Sequence, residues 1–482
     1  MSRSFSLVRS VWPLMWIVSL AVGAGALAGL VVVRAGFPVA AVVALAPAVV
    51  IVLLRSVWTG FICVIAVACI LPFGVIPLGG PITPTLLELA LAWCLLAGGA
   101  VALVDRRQRL HIGWSEALVL VLIGIASIAF LLGIGRGYTT QTAHDFGRFL
   151  LAIGMFWLTR EIVRSPRDGR LLLQMLLAGA TVAGFIGLLL YAGGPQLTLR
   201  VLGRLVAYGY PSNEIVRFIE SNPSLAMRAI GTGVDPNAFG GLMMIGLLLA
   251  ASQLLSSHRS VSIWLAGGAA AITSMALLLS YSRGAWVGAA FGVAFVLLLR
   301  RSWLIPPLGV LGLLGIALGL GSGFVTRLWE GFTLQDPATK LRLQEYQNAW
   351  NIIREHPWIG VGFGDAPSDH LQTGVSSVYL LIAERIGLVG LAVFLAVAAV
   401  IAWRAVHVVL ARKGRDGDVT LSFATVFLAL LAVAVVDHYL FNPEFSHMVA
   451  LYWIIAGALV SLCGFNETRG HAAEYPQTVD VS

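Results

Sequence analysis

The sequence DPATKLRLQEYQNAWNIIREHPWIGVGFG, from Asp336 to Gly364, lies inside a polar passage, 327–384, that interrupts an otherwise almost continuously apolar chain. Asp336 is a residue type that caps helix amino termini. Pro337 suits the first helical position because its missing N–H is not needed there. This stretch therefore predicts an amphipathic helix over 337–355 that lies outside the apolar spans.

The predicted helix has two different faces and is followed by a turn. Its apolar face carries residues at helical spacing, namely Leu343, Tyr346, Trp350 and Ile353. Arg342 and Glu345 share another face. Pro357 disfavours helical geometry in the residue before it, so the helix should stop at His356. Glycines at 360, 362 and 364 then allow the backbone to approach another group closely.

The composition predicts an all-α, polytopic membrane helix bundle. The 482-residue chain is 59% hydrophobic and only 11% charged, and its mean hydropathy is +0.90, outside the range of soluble proteins. Apolar runs near the roughly 20 residues that cross a bilayer predict helices, because an open sheet would leave backbone groups unpaired in lipid. The four cysteines lack the paired spacing of a zinc or redox site. The sequence also has no zinc ligand set, phosphate-binding loop or dinucleotide fingerprint, so we expect no metal and no cofactor.

The apolar runs predict about 12–14 transmembrane helices in a single domain, 1–464. A short cytoplasmic tail, 465–482, is expected to follow it. The predicted spans are 12–33, 36–54, 57–77, 84–104, 116–135, 147–163, 171–192, 236–254, 261–281, 284–299, 303–324, 376–403, 420–438 and 446–464.

Basic residues in the short connections orient the bundle. Most of these arginines fall on one side of the predicted membrane, and the positive-inside rule makes that side cytoplasmic. Both termini are then inside, and two long loops, about 193–235 and 325–375, are external. Long loops escape the rule, so a solvated-loop interpretation suffices for many of their cations. Arg283 is different, because it stands at a membrane edge where a charge needs a polar cavity or a partner.

Three external arginines are candidates for binding a diphosphate: Arg228, Arg283 and Arg342. The guanidinium is a planar, permanently charged fork that suits phosphate oxygens. His370 and Glu384 are candidate proton acceptors, although Glu384 could instead be neutralised by Arg385 beside it.

Further polar residues are expected to line the same cavity. Asp235 and Asn237 flank Pro236 at the start of a predicted span, where helix capping is as good an interpretation as a functional role. His438, next to Asp437, lies at another external membrane edge.

Four motifs resemble the O-antigen ligase-like and polysaccharide polymerase (Wzy-type) superfamily of bacterial membrane glycosyltransferases. They are GTGVDPNAFGG at 231–241, SYSRGAWVG at 280–288, the Arg342 helix running into REHPWIGVGFG at 354–364, and SSVYLLIAERIGLVG at 376–390. The resemblance covers about 228–390, with a weaker similarity at 437–457. It implies a GT-C-like fold in the bacterial plasma membrane, with the active site facing the outside or periplasm.

The resemblance also implies the reaction and its partners. The donor would be a polyprenyl-diphosphate-linked glycan, which needs neither nucleotide nor metal. The acceptor would be a sugar, a lipid A core or a protein side chain. Membrane lipids and envelope-assembly proteins are the other expected partners. Family members commonly carry a His-Asn pair where this chain has Ser376 and Ser377, just before Tyr379, and these three residues are further cavity candidates.

Two other functional classes compete with a transferase. A transporter or flippase would use the same arginines to bind an anionic or lipid-linked solute, but the matching broken spans of inverted repeats are not evident. A scaffold for envelope assembly would leave the external arginines individually dispensable. Nucleic-acid binding is not expected, because the net charge of +8 is spread over two membrane faces rather than gathered in one patch.

Overall fold

The computed structural model describes residues 57–76, 83–104, 113–133, 138–317, 337–364, 375–411 and 414–464. Within these ranges the chain forms fourteen α-helices and no β-strand beyond two isolated bridges. The helices are α1 (Val57–Ile70), α2 (Leu86–Val104), α3 (Trp114–Gly133), α4 (Thr140–Ile162), α5 (Pro166–Ala192), α6 (Gly194–Leu205), α7 (Pro236–Leu255), α8 (Ile263–Leu279), α9 (Arg283–Arg300), α10 (Ile305–Ala317), α11 (Pro337–Glu355), α12 (Val378–Ala411), α13 (Arg415–Val433) and α14 (Ser446–Gly464).

The predicted all-α polytopic membrane fold is confirmed. Seven helices in the described ranges are long and apolar enough to cross a membrane, and four shorter helices are also apolar. The predicted spans 12–33 and 36–54 and the predicted tail 465–482 lie outside the described residues. By compactness the chain divides into two units, 1–61 and 62–482. Of the first unit, only the beginning of α1 is described.

The last helix, α14, lies deep in the second unit and is almost entirely buried. A Cβ atom at Gly457 would lie 2.4 Å from the carbonyl oxygen of Phe156 on α4. One turn further along α14, the Ser461 hydroxyl donates to the carbonyl oxygens of Arg160 and Val163 at 3.0 and 2.5 Å. Small residues allow such close approach in membranes, where lipid-facing helices gain little from hydrophobic burial.

Replacing Gly457 with alanine is expected to destabilise this helix pair. The methyl group would meet backbone atoms of α4 that cannot rotate away, at a cost of about 1–3 kcal/mol. Thermal unfolding of the detergent-solubilised protein would measure the loss. Gly124→Ala on α3 is a matched control, because nothing lies within 4 Å of a Cβ atom there. Equal melting temperatures for the two variants would contradict the proposed close contact.

The predicted external loop 193–235 contains more regular structure than expected. It begins with α6, and two short 3₁₀ turns follow, at Val206–Tyr208 and Ile219–Ser221. A small apolar cluster attaches this segment to the end of α5 and consists of Leu190, Leu202, Ile215 and Ile230. The segment therefore has a packed core of its own, which fixes the position of the residues that follow it.

The helix α12 is interrupted within the predicted span 376–403. Ile386 and Gly387 have non-helical dihedral angles, with a φ of 74° at Gly387. The turn after α11 fills the gap: the N–H groups of Val361 and Gly362 donate to the carbonyl oxygens of Glu384 and Arg385, both at 2.9 Å. The glycines after Pro357 were expected to allow a close backbone approach. The turn that contains them approaches the interrupted part of α12 in this way.

Candidate functional site

A cavity of about 1080 Å³ lies at one end of the helices. Its walls come from the first turns of α4, α7 and α9, one face of α11 and the start of α12, together with the segments between α6 and α7 and between α13 and α14. These are the ends of the helices opposite the arginine-rich links at 160–170 and 300–301. The volume is at the upper end of the range for ligand pockets, which suits a large ligand.

Most of the residues selected from the sequence meet in this cavity. Its lining includes Arg228, Asp235, Asn237, Arg283, Arg342, Ser376, Glu384 and His438. Ser377 and Tyr379 do not line it, and His370 lies outside the described residues. The three arginines, although 114 positions apart in sequence from first to last, are therefore brought to one site.

Arg228 is held in place by two hydrogen bonds. Its Nε donates to the carbonyl oxygen of Ser280 at 2.8 Å, and Nη2 donates to the Asn237 side-chain oxygen at 2.8 Å. The backbone is also fixed, because the N–H of Ala229 donates to the Leu279 carbonyl at 2.7 Å. The guanidinium is only partly buried, so it reaches the cavity from a preorganised position.

Asp235 caps α7, which was one of the two interpretations of its position in the sequence. Its Oδ1 accepts the N–H groups of Asn237 and Ala238 at 2.9 and 2.7 Å. At the start of α9, in contrast, Ser282 makes no side-chain capping hydrogen bond. The positive end of the α9 dipole therefore adds to the charge of Arg283, its first residue.

Arg283 and Arg342 connect α9 with α11. The Arg283 Nη2 atom lies 3.4 Å from the Thr339 hydroxyl in the first turn of α11. Arg342 follows on the same helix, together with Glu345, which is only 5% exposed. The polar face of α11 is thus turned towards the cavity, while Leu343 on the apolar face is 45% exposed.

Two residues beside the arginines have left-handed backbone conformations. Val234 has a φ of 59° and Tyr281 a φ of 52°. A positive φ is rare for a β-branched or bulky residue and costs about 1–3 kcal/mol. Val234 precedes Asp235, the cap of α7, and Tyr281 lies in the cavity wall just before α9. The strained residues therefore lie next to the first turns of α7 and α9, which line the cavity.

Glu384 lies on the cavity wall immediately before the interruption of α12. Its side chain is almost fully buried, and Oε1 lies 3.7 Å from Nε of Arg385. Arg385 also donates to the carbonyl oxygens of Gly362 and Gly364. Arg385 is therefore shared between Glu384 and the turn after α11, which leaves a carboxylate and a partly neutralised guanidinium at the cavity surface.

Ser376 and Ser377, which stand where the polymerase and ligase superfamily commonly has His-Asn, have different surroundings. Ser376 donates through both its N–H and its hydroxyl to Glu345 Oε2, at 3.0 and 2.6 Å. The hydroxyl of Ser377 donates to the Ala434 carbonyl, and that of Tyr379 donates to the Leu431 carbonyl at 2.8 Å. The expected cavity positions of Ser377 and Tyr379 are therefore not found, because at the start of α12 both side chains are turned towards α13.

His438 reaches the cavity with Asp437 behind it. The two side chains lie 3.7 Å apart, between Nδ1 and Oδ1, and the His438 N–H donates to the same oxygen at 3.0 Å. Burial raises the pKa of Asp437, and the charges of His438 and Arg342 counter this effect. A carboxylate in this position can orient an imidazole.

No group of three metal-ligating side chains is found in the part of the chain that the structure describes. The expectation that the site works without a metal stays a prediction.

The family comparison connects this cavity with known proteins. Residues 268–395 match the family model described as O-antigen ligase. This segment is O-antigen ligase-like. It contains Arg283, Arg342, Ser376 and Glu384, so the resemblance identified from the motifs is confirmed there.

The other comparisons are less informative than the O-antigen ligase match. No curated protein sequence matches the chain. Among solved structures, a chain from "Structural coordination of polymerization and crosslinking by a peptidoglycan synthase complex" aligns with a TM-score of 0.42 and 20% identity. The alignment covers 74% of this chain and 99% of that chain. A similarity this low supports no conclusion about activity.

Several cavity residues were not selected from the sequence. Outside the O-antigen ligase-like segment they include Gln141, Thr142 and Asp145 on the first turns of α4. A signal was present, because α4 begins with the polar sequence TQTAHD before the predicted span at 147–163. Such a polar first turn is ambiguous by itself, since it also suits a solvated helix end.

Proposed function

We propose that this protein is a membrane glycosyltransferase that transfers a glycan from a polyprenyl-diphosphate-linked donor to an acceptor hydroxyl. The observation that carries the proposal is the meeting of Arg228, Arg283 and Arg342 in one cavity of an O-antigen ligase-like membrane protein. Permanent cations around a large cavity suit a diphosphate, which carries two negative charges in the donor and gains a third as it leaves the sugar.

The chemistry is a substitution at the anomeric carbon of the donor sugar. The acceptor oxygen forms the new bond to that carbon as the bond from carbon to phosphate oxygen breaks. The bonding electron pair leaves with the diphosphate, whose growing negative charge the arginines stabilise. The acceptor hydroxyl loses its proton to a carboxylate or an imidazole, which restores the charge balance.

Glu384 and His370 are the proposed proton acceptors. Glu384 lies on the cavity wall, and the Arg385 guanidinium next to it is also occupied by the carbonyls of the neighbouring turn. Ser376, at the position where relatives carry a histidine, donates its proton to Glu345 and so is not placed to receive one. His438 is a further imidazole in the cavity.

We place the reaction on the outer face of the bacterial plasma membrane. The cavity lies at the helix ends opposite the arginine-rich links. Those links are expected to be cytoplasmic by the positive-inside rule. Cysteine labelling from either side of sealed vesicles, at positions beside the cavity, would test this orientation.

Reconstituted protein in nanodiscs tests the reaction itself. The assay contains a polyprenyl-diphosphate-linked glycan, an acceptor glycan and a chelator, without nucleotide. Wild type is expected to transfer, and Arg283→Ala to lower the rate about a hundredfold because one charge-stabilising group is lost. Arg354→Ala is the control: this arginine lies on α11, the helix that Arg283 contacts through Thr339, stacks 5.3 Å over Trp350 and does not line the cavity.

The outcomes separate the competing functions. Transfer that is lost only in Arg283→Ala supports the glycosyltransferase, and product length distinguishes a polymerase from a ligase. No transfer by wild type with several acceptors, combined with Arg283-dependent movement of labelled donor across vesicles, would replace it by a flippase. Equal activities of wild type and both variants would remove the arginine from the mechanism.

A further inference from the structure

The cavity has two chemically different ends, which α11 connects. At its start, Thr339 contacts Arg283. Ile352, near its end, also lines the cavity, and Phe363 in the following turn lies 4.9 Å, ring centre to ring centre, from Phe146 of α4. Ile352 follows Thr339 by thirteen positions in α11, a rise of about 20 Å. The site is therefore long enough for a diphosphate and several sugar rings.

At the end formed by α4, none of the α4 residues that line the cavity is cationic. The α4 residues that line the cavity there, together with its cap, are Thr139, Gln141, Thr142, Asp145 and Phe146. The next arginine along α4, Arg148, is occupied by the buried Glu88, with Nε 2.5 Å from Oε1. Arg385, which also lines the cavity, donates to the carbonyl oxygens of Gly362 and Gly364. This end therefore suits a neutral, hydroxyl-rich group, and its carboxylate disfavours a phosphate.

Asp145 is arranged to accept hydrogen bonds from a ligand. Its Oδ1 atom receives the Gln141 amide at 2.9 Å and lies 3.6 Å from Nη2 of Arg148. Both of these contacts, which are made by described residues, involve Oδ1 and not the other carboxylate oxygen, Oδ2. Burial raises the pKa of Asp145 and the charge of Arg148 counters this.

Aromatic rings lie beside these polar groups. Phe146, Phe363 and Phe441 all line the cavity. Phe146 stacks on Phe130 with ring centres 4.3 Å apart, which fixes its orientation. A rigid apolar surface next to a few convergent polar atoms is the usual construction of a small-molecule site, and it fits the apolar face and the hydroxyl rim of a sugar ring.

We propose that the α4 end binds the acceptor sugar, with Asp145 and Gln141 bonding its hydroxyl groups and Phe146 and Phe363 contacting its apolar face. This inference rests on the proposed transferase function. The donor diphosphate occupies the arginine end. Glu384 lines the cavity near the α4 end, because its neighbour Arg385 donates to the carbonyl of Gly364, next to Phe363. The proposed proton acceptor is thus on the cavity wall near the proposed acceptor sugar.

Steady-state kinetics of Asp145→Asn in nanodiscs test the site. Initial rates are measured against acceptor concentration at saturating donor, and against donor concentration at saturating acceptor. Loss of a hydrogen bond to a charged group is expected to raise the acceptor KM about tenfold or more. The donor KM should stay within about twofold. Gln141→Met, which removes the amide of the same wall, should change the acceptor KM in the same direction.

Thr140→Ala is the matched control, because Thr140 is exposed on the same helical turn and does not line the cavity. Two acceptors are compared, a lipid-linked repeat unit and a lipid A core oligosaccharide, and the one whose KM responds to Asp145→Asn is the acceptor bound there. A rise in the donor KM alone, or equal behaviour of Asp145→Asn and Thr140→Ala, would overturn the acceptor site while leaving the transferase intact. Absence of transfer by wild type would instead overturn both proposals.

Discussion

Arg228→Ala is expected to lower the rate of glycan transfer about a thousandfold. Two hydrogen bonds fix its guanidinium before substrate binds, from Nε to Ser280 and from Nη2 to Asn237. A preorganised charge stabilises a developing anion without reorganisation, and a loss of this kind costs about 4 kcal/mol of transition-state energy.

Two related variants separate the charge of Arg228 from its positioning. Arg228→Lys keeps a positive charge but cannot reproduce a planar fork held at two points, so we expect a loss of about tenfold or more. Asn237→Ala removes one of the two holding contacts and should also cost about tenfold in kcat/KM. Both are measured in the nanodisc transfer assay. Arg204→Ala, exposed on α6 and away from the cavity, is the control for an external arginine.

Thermal unfolding shows whether these losses arise from folding. The melting temperatures of Arg228→Ala and Arg204→Ala should agree within a few degrees, because the Arg228 side chain is only partly buried. Retention of more than a tenth of wild-type transfer by a folded Arg228→Ala protein would contradict its role at the leaving group.

Local signals in the sequence were sufficient for the helix boundaries around the site. The helix α11 begins at Pro337 and ends at Glu355, as the prolines on either side predicted. Asp235 caps α7 for the same kind of reason, since capping depends only on neighbouring residues. The cost of a charge at the membrane edge also pointed correctly to Arg283 as a cavity residue.

Features that depend on distant contacts were not predicted. The apolar sequence around Gly387 reads as one continuous span, and only the turn at 357–362 provides the partners that interrupt it. The side chains of Ser377 and Tyr379 contact α13, a consequence of helix rotation that the motif does not encode. Asp145 belongs to the cavity because α4 packs beside Phe363, 218 positions later in the chain.

Gly387→Ala is expected to have the largest effect on folding. Its φ of 74° and ψ of 177° fall in a region that is essentially restricted to glycine. An added Cβ atom would lie 2.1 Å from the carbonyl oxygen of Trp358. The strain and the clash act together, and we expect a loss of about 4 kcal/mol or more in unfolding free energy. Denaturation in detergent, followed by tryptophan fluorescence, measures this loss. Gly267→Ala on α8 is the control, with open space around its Cβ position.

The effect of Gly387→Ala should extend to activity through Glu384. The interruption at Gly387 leaves the carbonyls of Glu384 and Arg385 available to the turn after α11, and Leu388 N–H donates in return to the Pro357 carbonyl at 2.7 Å. These bonds fix the direction in which Glu384 enters the cavity. If the chain became continuous helix at this point, the same carbonyls would accept bonds from the next helical turn, and the turn at 357–362 would lose its attachment. We therefore expect any folded fraction of Gly387→Ala to transfer glycan at less than about one hundredth of the wild-type rate. Normal transfer by that fraction would show that the interrupted helix stabilises the protein without positioning Glu384, the proposed proton acceptor.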